Sequence, residues 1–144
     1  MISKSCKYAI RASVFVASKV DQDKKLSVKE IAAEIEAPAA FTGKILQTLN
    51  KRRIITSLKG PYGGFFIEKY QLDTPILEIV NAIDGLAVFK ECVMGLHQCS
   101  DEHPCPMHFE YSKTRSALLN SFSKTTIGNL ANKLSFGDSF LTNS

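Results

Sequence analysis

Between Ser27 and Glu68 the apolar residues run through two helical stretches parted by a proline, then an alternating stretch broken by glycines, an order that few folds accept. Ser27 stands three residues before Glu30, the spacing of a helix-starting capping box. Val28, Ile31, Ala32 and Ile35 then share one face of a first helix. Ala37-Pro38 ends it, because a proline ring pushes the residue before it out of the helical region. A second helix is predicted from about Ala39 to Lys51. Phe41, Ile45, Leu46 and Leu49 are its apolar positions, and Thr42, Lys44, Gln47, Thr48 and Lys51 form its other face. Two short helices on a tight turn, the second polar and basic outside, match a helix-turn-helix, although any packed pair of helices shares part of the pattern.

The residues that follow narrow the choice. Arg52 and Arg53 lead into Ile54-Ile55-Thr56-Ser57-Leu58, a β-branched run. Lys59-Gly60-Pro61-Tyr62-Gly63-Gly64 reads as a turn and Phe65-Phe66-Ile67-Glu68 as a second strand. A hairpin directly after such a helix is the wing of a winged helix-turn-helix. The predicted fold class is therefore mainly α with a small β-hairpin. That geometry implies double-stranded DNA as a partner. The second helix would lie in the major groove, with Ala40 and Gly43 small enough for close approach. Lys59 and Tyr62 would reach from the wing, the lysine toward a phosphate or the narrow minor groove. Gly63 would let backbone N–H groups approach phosphate oxygens.

Charge agrees with this. The net charge is +4, yet residues 1–60 carry twelve Lys and Arg against five Asp and Glu, while residues 61–144 carry six against nine. A basic first half suits a polyanion, although a solvated basic surface would give the same count. With 44% hydrophobic and 22% charged residues, the composition is that of an ordinary globular protein. No apolar run reaches membrane-spanning length and no secretory leader pattern opens the chain. The expectation is a cytoplasmic protein without a membrane partner, whose cysteines stay reduced.

Elsewhere, residues 4–20 place Tyr8, Ala12, Phe15, Val16 and Val20 at helical spacing, which predicts one amphipathic helix carrying a lone Cys6, read as a small packed residue. Asp73-Thr74-Pro75 starts another helix, which Asp84-Gly85 ends. From Pro106 on, Phe109, Leu118, Leu119, Phe122, Ile127, Leu130 and Leu134 predict a long helix to about Ser123, then a shorter one capped by Thr125 or Thr126. Its apolar stripe needs cover, either from a second copy in a two-fold homodimer, or from the first helix, or from both. The expected division is a DNA-binding unit over 1–84, a Cys/His loop over 85–108, a dimerisation helix region over 109–135, and a frayed tail over 136–144.

That loop holds the densest chemistry. Three of the four cysteines (Cys92, Cys99, Cys105) and all three histidines (His97, His103, His108) fall within seventeen residues. Two prolines and a glycine exclude regular structure across most of it, so something other than apolar burial must give it shape. Thiolate and imidazole together suit zinc, copper(I) or an iron–sulfur cluster. Zinc normally takes tight cysteine pairs, whereas here six and five residues separate successive cysteines. A Cys/His pair could also serve a nucleophilic enzyme, but no oxyanion or phosphate motif accompanies it. Neither an enzymatic activity nor a small-molecule substrate is predicted.

The basic first helix, the run LNKRRIITS, the wing LKGPYGGF, the Pro-started helix ending Ile-Asp-Gly, and the three-cysteine loop before a long helix resemble the iron–sulfur cluster regulator (IscR) family over roughly residues 1–135. That family also includes nitric-oxide-sensing (NsrR) and cysteine-metabolism (CymR) repressors. The resemblance implies a dimeric winged-helix transcription regulator with a [2Fe–2S] cluster on Cys92, Cys99, Cys105 and His108. The gap from Cys92 to Cys99 is one residue longer than is usual in the family. Residues 1–20 contain no Asp or Glu, so the first-helix carboxylate ligand of some family members has no counterpart here, which favours His108. His97 and His103 are then solvated loop residues. Two alternatives stay open: a constitutive DNA-binding or interaction protein whose loop holds zinc or nothing, and an iron–sulfur carrier without DNA binding.

Overall fold

The first helix, α1 (Lys4–Ala17), is the element on which the others pack in this computed structural model, which describes residues 1–143. Ser3 caps it, its side chain accepting the Cys6 N–H, and Ala9, Ala12 and Ser13 let neighbouring helices close on it. Ser3 is also held to the end of the fourth helix, its N–H donating to Asp84 Oδ2 at 2.8 Å and its hydroxyl to Asp84 Oδ1. The helix stops at Ala17, short of the predicted Val20. A 3-10 turn, Val20–Gln22, follows, and Asp23 at φ 47° reverses the chain.

The pair α2 (Val28–Glu34) and α3 (Ala39–Lys51) forms as expected. Ser27 accepts the Glu30 N–H, but the Glu30 carboxylate turns to the Ser27 hydroxyl and to Lys24 instead of closing a reciprocal box. Ile31 and Ile35 meet Ile45, Leu46 and Leu49 in the main core, with Ala12, Phe15 and Val16 of α1.

The hairpin is shorter than predicted. β1 (Thr56–Leu58) pairs antiparallel with β2 (Gly64–Phe66), placing Thr56 opposite Phe66 and Leu58 opposite Gly64. Ile54, Ile55 and Ile67 leave the ladder and turn into the core, because burying three aliphatic side chains outweighs extending a two-stranded ribbon. Leu26 adds backbone bonds to Phe65 in both directions (2.8 and 2.7 Å), so the wing also grips the segment before α2.

A short helix, α4 (Ile76–Ile83), follows Pro75 and ends at Gly85, whose φ of 75° suits glycine. After the Cys/His loop come α5 (His108–Lys124) and α6 (Ile127–Ser135), the latter capped reciprocally by Thr126 and Asn129. The C-terminal stripe divides between them. Ile127 and Ala131 of α6 are buried against the core with α1, and Pro75 and Thr126 form a backbone bridge. By contrast, α5 leaves Phe109 62% exposed and Leu119, farther along the helix, exposed as well. The tail departs from the frayed expectation, since Leu141 packs on the core cluster; Ser144 lies outside the described residues. Among the described residues no helix is long and apolar enough to cross a membrane.

Candidate functional site

Helix α3 sorts its residues by burial. Ile45, Leu46 and Leu49 face inward, and Ala40, Lys44, Gln47 and Lys51 form an exposed stripe at spacings of four, three and four. Thr42 does not belong to that stripe. It is 0% exposed, with its hydroxyl donating to the Pro38 carbonyl at 2.9 Å, so the expectation that it faces DNA is corrected. Its β-branched side chain fills the core, and the bond to Pro38 satisfies its hydroxyl at a helix start that lacks a side-chain cap. Gly43 is half-buried, and a Cβ there would make an ordinary contact with Val28 Cγ1 of α2 at 3.7 Å. Thr48 is half-buried and donates to the Lys44 carbonyl at 3.2 Å. Lys44 and Thr48 border a groove against Ser5 of α1 and Ala82 and Ile83 of α4.

Lys59 and Tyr62 project from the wing tip, the tyrosine 92% exposed. Gly63 is demanded by the turn itself: a Cβ would lie 1.9 Å from the Leu58 carbonyl oxygen. Arg52 and Arg53 are exposed beside Lys51 and extend the basic edge between helix and wing. Their charge was legible in the sequence, but not their exposure.

The second centre lies at the start of α5. Phe89 is buried edge-to-face against Phe122 of α5 (5.8 Å), which pins the loop's entry. Arg115, one turn of helix past Tyr111, donates from Nη1 to the Glu91 carbonyl at 2.8 Å and to Cys99 Sγ at 3.2 Å. Cys92, Cys105 and His108 are buried, and all four cysteines are free thiols. Cys99 Sγ lies 3.3 Å from His108 Nδ1, and Cys92 and Cys105 stand near enough to act on each other's acidity. His97 and His103 are exposed.

Cys92 and Cys105 are pushed apart in acidity. The Leu96 backbone N–H, with those of Met94 and Gly95 and the Cys105 thiol, lowers Cys92 against the opposing effect of burial. Burial, then the bond to Cys92 and the nearby charge of Cys92 and Cys99, raises Cys105. Amide dipoles thus favour a thiolate at Cys92, the form that binds a metal. Cys6 is separate, buried between Val80 and Phe89, and burial followed by the Asp84 charge pushes its thiol up to about 12.

The residues fit a thiolate/imidazole metal centre. A tetrahedral ion with bonds of about 2.1 Å to nitrogen and 2.3 Å to sulfur sets those atoms about 3.5 Å apart. The Cys99–His108 separation of 3.3 Å is within a few tenths of an ångström of that. Among the described residues no three His, Cys, Asp or Glu side chains gather closely enough to hold a single ion.

Comparison with known proteins gives the family and the fold. The family model Rrf2, described as an iron-dependent transcriptional regulator, matches residues 2–133. A protein of Aquifex aeolicus (strain VF5) described as an HTH-type transcriptional regulator is 30% identical over 134 residues, 92% of each chain. Two solved structures share the fold. The T. potens IscR has a TM-score of 0.74 at 14% identity, covering 96% of this chain and 91% of that one. CymR, the global cysteine regulator of B. subtilis, has a TM-score of 0.73 at 20% identity, covering 92% and 96%.

Proposed function

Because the chain belongs to the Rrf2 family of transcriptional regulators, whose role is to bind DNA, we propose that it binds DNA as a homodimer under the control of a [2Fe–2S] cluster held by Cys92, Cys99, Cys105 and His108. The observation that carries the cluster reading is the gathering of three free thiols and one buried imidazole at one loop, with Cys99 Sγ 3.3 Å from His108 Nδ1. A two-iron cluster takes two protein ligands on each iron, whereas zinc draws four ligands to one point. The bound cluster would supply a centre sensitive to oxidation, nitric oxide or iron supply. A neutral imidazole in place of a fourth thiolate lowers the negative charge on the centre and favours a labile, higher-potential cluster.

The chain's own residues would then do the rest. Ala40, Lys44, Gln47 and Lys51 would face the major groove, with Thr48 at the edge of that stripe. Lys59 and Tyr62 would act from the wing, and Arg52 and Arg53 would meet phosphate between the two. Gly63 would shape the wing tip. Phe109 and Leu119 of α5 would be covered by the partner's copy. His108 is the first residue of α5, and Arg115 ties that helix to Cys99 and to the carbonyl before Cys92. A change at the ligands is therefore passed to the dimer helix through two rigid attachments.

Anaerobic purification tests the reading, with visible absorption and with iron, acid-labile sulfide and zinc assayed on one sample. Two iron and two sulfide per chain, lost in Cys99→Ala, is the expected result, together with binding to promoter fragments that differs between loaded and cluster-free protein. A colourless protein with stoichiometric zinc, or DNA binding indifferent to the cluster, would overturn it.

A further inference from the structure

Resting on the cluster reading above, we propose that His108 meets the metal through Nδ1, shares one metal atom with Cys99, and is held in that form by Asp101. Two of the hydrogen bonds in this corner have one permitted direction. A guanidinium only donates, so Cys99 Sγ accepts from Arg115 Nη1 at 3.2 Å. A carboxylate only accepts, so His108 Nε2 carries the hydrogen it gives to Asp101 Oδ1 at 2.6 Å. Nε2 is thereby committed to Asp101, and Nδ1 faces Cys99 Sγ across 3.3 Å with one proton between them, whichever of the two carries it. A metal atom taking that proton's place finds sulfur and nitrogen already facing each other.

The ring is not free to present its other nitrogen. His108 is buried, its backbone N–H is bound to the Cys105 carbonyl at 3.0 Å, and its ring stands edge-on to Phe109 at 4.9 Å. Turning Nε2 inward would break the bond to Asp101 and aim an N–H at sulfur. Asp101 is a positioning residue in this scheme: it touches the ligand and not the metal, fixing the tautomer as carboxylate partners of metal-bound histidines do. Its side chain is 89% exposed, which places its effect at the low end of the roughly 10–100-fold range for such partners.

The test uses the full chain with His97→Gln and His103→Gln, so that His108 is the single histidine. The protein is loaded anaerobically, reduced by one electron from dithionite, and examined by pulsed EPR after ¹⁵N labelling at Nδ1 or at Nε2. The strongly coupled nitrogen should change isotope with the Nδ1 label only. Asp101→Ala should lose its cluster to a chelator about tenfold faster. Asp101→Asn, whose amide oxygen still accepts, should recover most of that. Strong coupling that follows the Nε2 label, or an Asp101→Ala protein that keeps its cluster as long as its parent, overturns this proposal and leaves His108 as a ligand. A brown protein with no strongly coupled nitrogen, or one that takes up no iron and sulfide, overturns the reading beneath it and this proposal too.

Discussion

Gln71 donates its side-chain N–H to the carbonyl oxygen of Arg53 at 2.9 Å, fastening the exit of α3 to the chain beyond the wing. Arg53 has a left-handed backbone, φ 60°, and its carbonyl has no continuing helix to serve. Gln71 Oε1 accepts the Thr56 hydroxyl at 3.0 Å and the Glu68 N–H at 2.8 Å, so one buried amide holds helix end, first strand and the exit of the second together. Replacing it with leucine keeps the volume but strands these partners. Gln71→Leu should cost roughly 1–3 kcal/mol for the unsatisfied groups, read by urea denaturation, and should weaken DNA binding by loosening the wing. Unchanged stability would show that the network is dispensable.

Thr42 and Lys44 are two residues apart and should behave as different kinds of residue. Thr42→Val loses one buried hydroxyl bond, about 1 kcal/mol of stability, and leaves the salt dependence of DNA binding as it was. Lys44→Ala should leave stability almost untouched and lower the slope of log affinity against log salt by about one. Titrations at several salt concentrations separate them, and identical slopes in both variants would remove Lys44 from the interface.

Two of the wing glycines, Gly60 and Gly63, should also differ. At Gly63 an added methyl group meets the Leu58 carbonyl oxygen, so Gly63→Ala must deform the tip and weaken DNA binding. At Gly60 nothing lies within 4 Å, and the strain is only that of its φ of 108°, about 1–3 kcal/mol. Fluorescence anisotropy should place Gly63→Ala below Gly60→Ala in affinity.

Cys6 makes stability depend on alkali. The folded thiol titrates near 12, while in the unfolded chain it ionises from about 8.5 upward. Above the unfolded value the native state binds the extra proton, so its contribution is complete below about pH 8.5 and is lost as pH rises toward 12. Melting temperatures should fall over that window and fall less in Cys6→Ala when each is compared with its own value at pH 8. Iodoacetamide should leave Cys6 unmodified in the folded protein and label it once the chain is unfolded, as read by mass spectrometry.

Leu119→Glu places a charge on the exposed stripe of α5 without touching α6, which is packed on α1. Light scattering should report a monomer with an unchanged helical circular dichroism spectrum. A dimer of unaltered strength would move the interface elsewhere.

Much of this molecule was legible from periodicity and punctuation. Ser27, Pro38, Pro75, Gly85 and Thr126 act locally, through caps and restricted backbone angles, and each marks a boundary in the fold within a residue or two. The wing was legible because its turn needs glycine, and Gly63 stands where no other residue fits. The Cys/His stretch was legible as chemistry, because thiols and imidazoles rarely crowd one loop without a ligand.

What local sequence leaves open is decided by long-range packing. Thr42 is not such a case: at 100° per residue it falls between Leu49 and Leu46 on the apolar face of α3, and Thr48 falls at the edge of that face. The apolar stripe after Pro106 looks continuous, yet the break at Thr125 lets α6 turn back onto α1 while α5 keeps Phe109 and Leu119 in the open. The approach of Cys99 to His108, and the attachment of Asp101 and Arg115 to that pair, follow from no spacing at all. They depend on where the end of α4, held by Ser3, and the start of α5 place a loop with almost no hydrogen-bonded structure of its own. Sequence fixes backbone preference over a few residues, whereas the meeting of side chains seven to twenty-five positions apart is set by the elements that carry them.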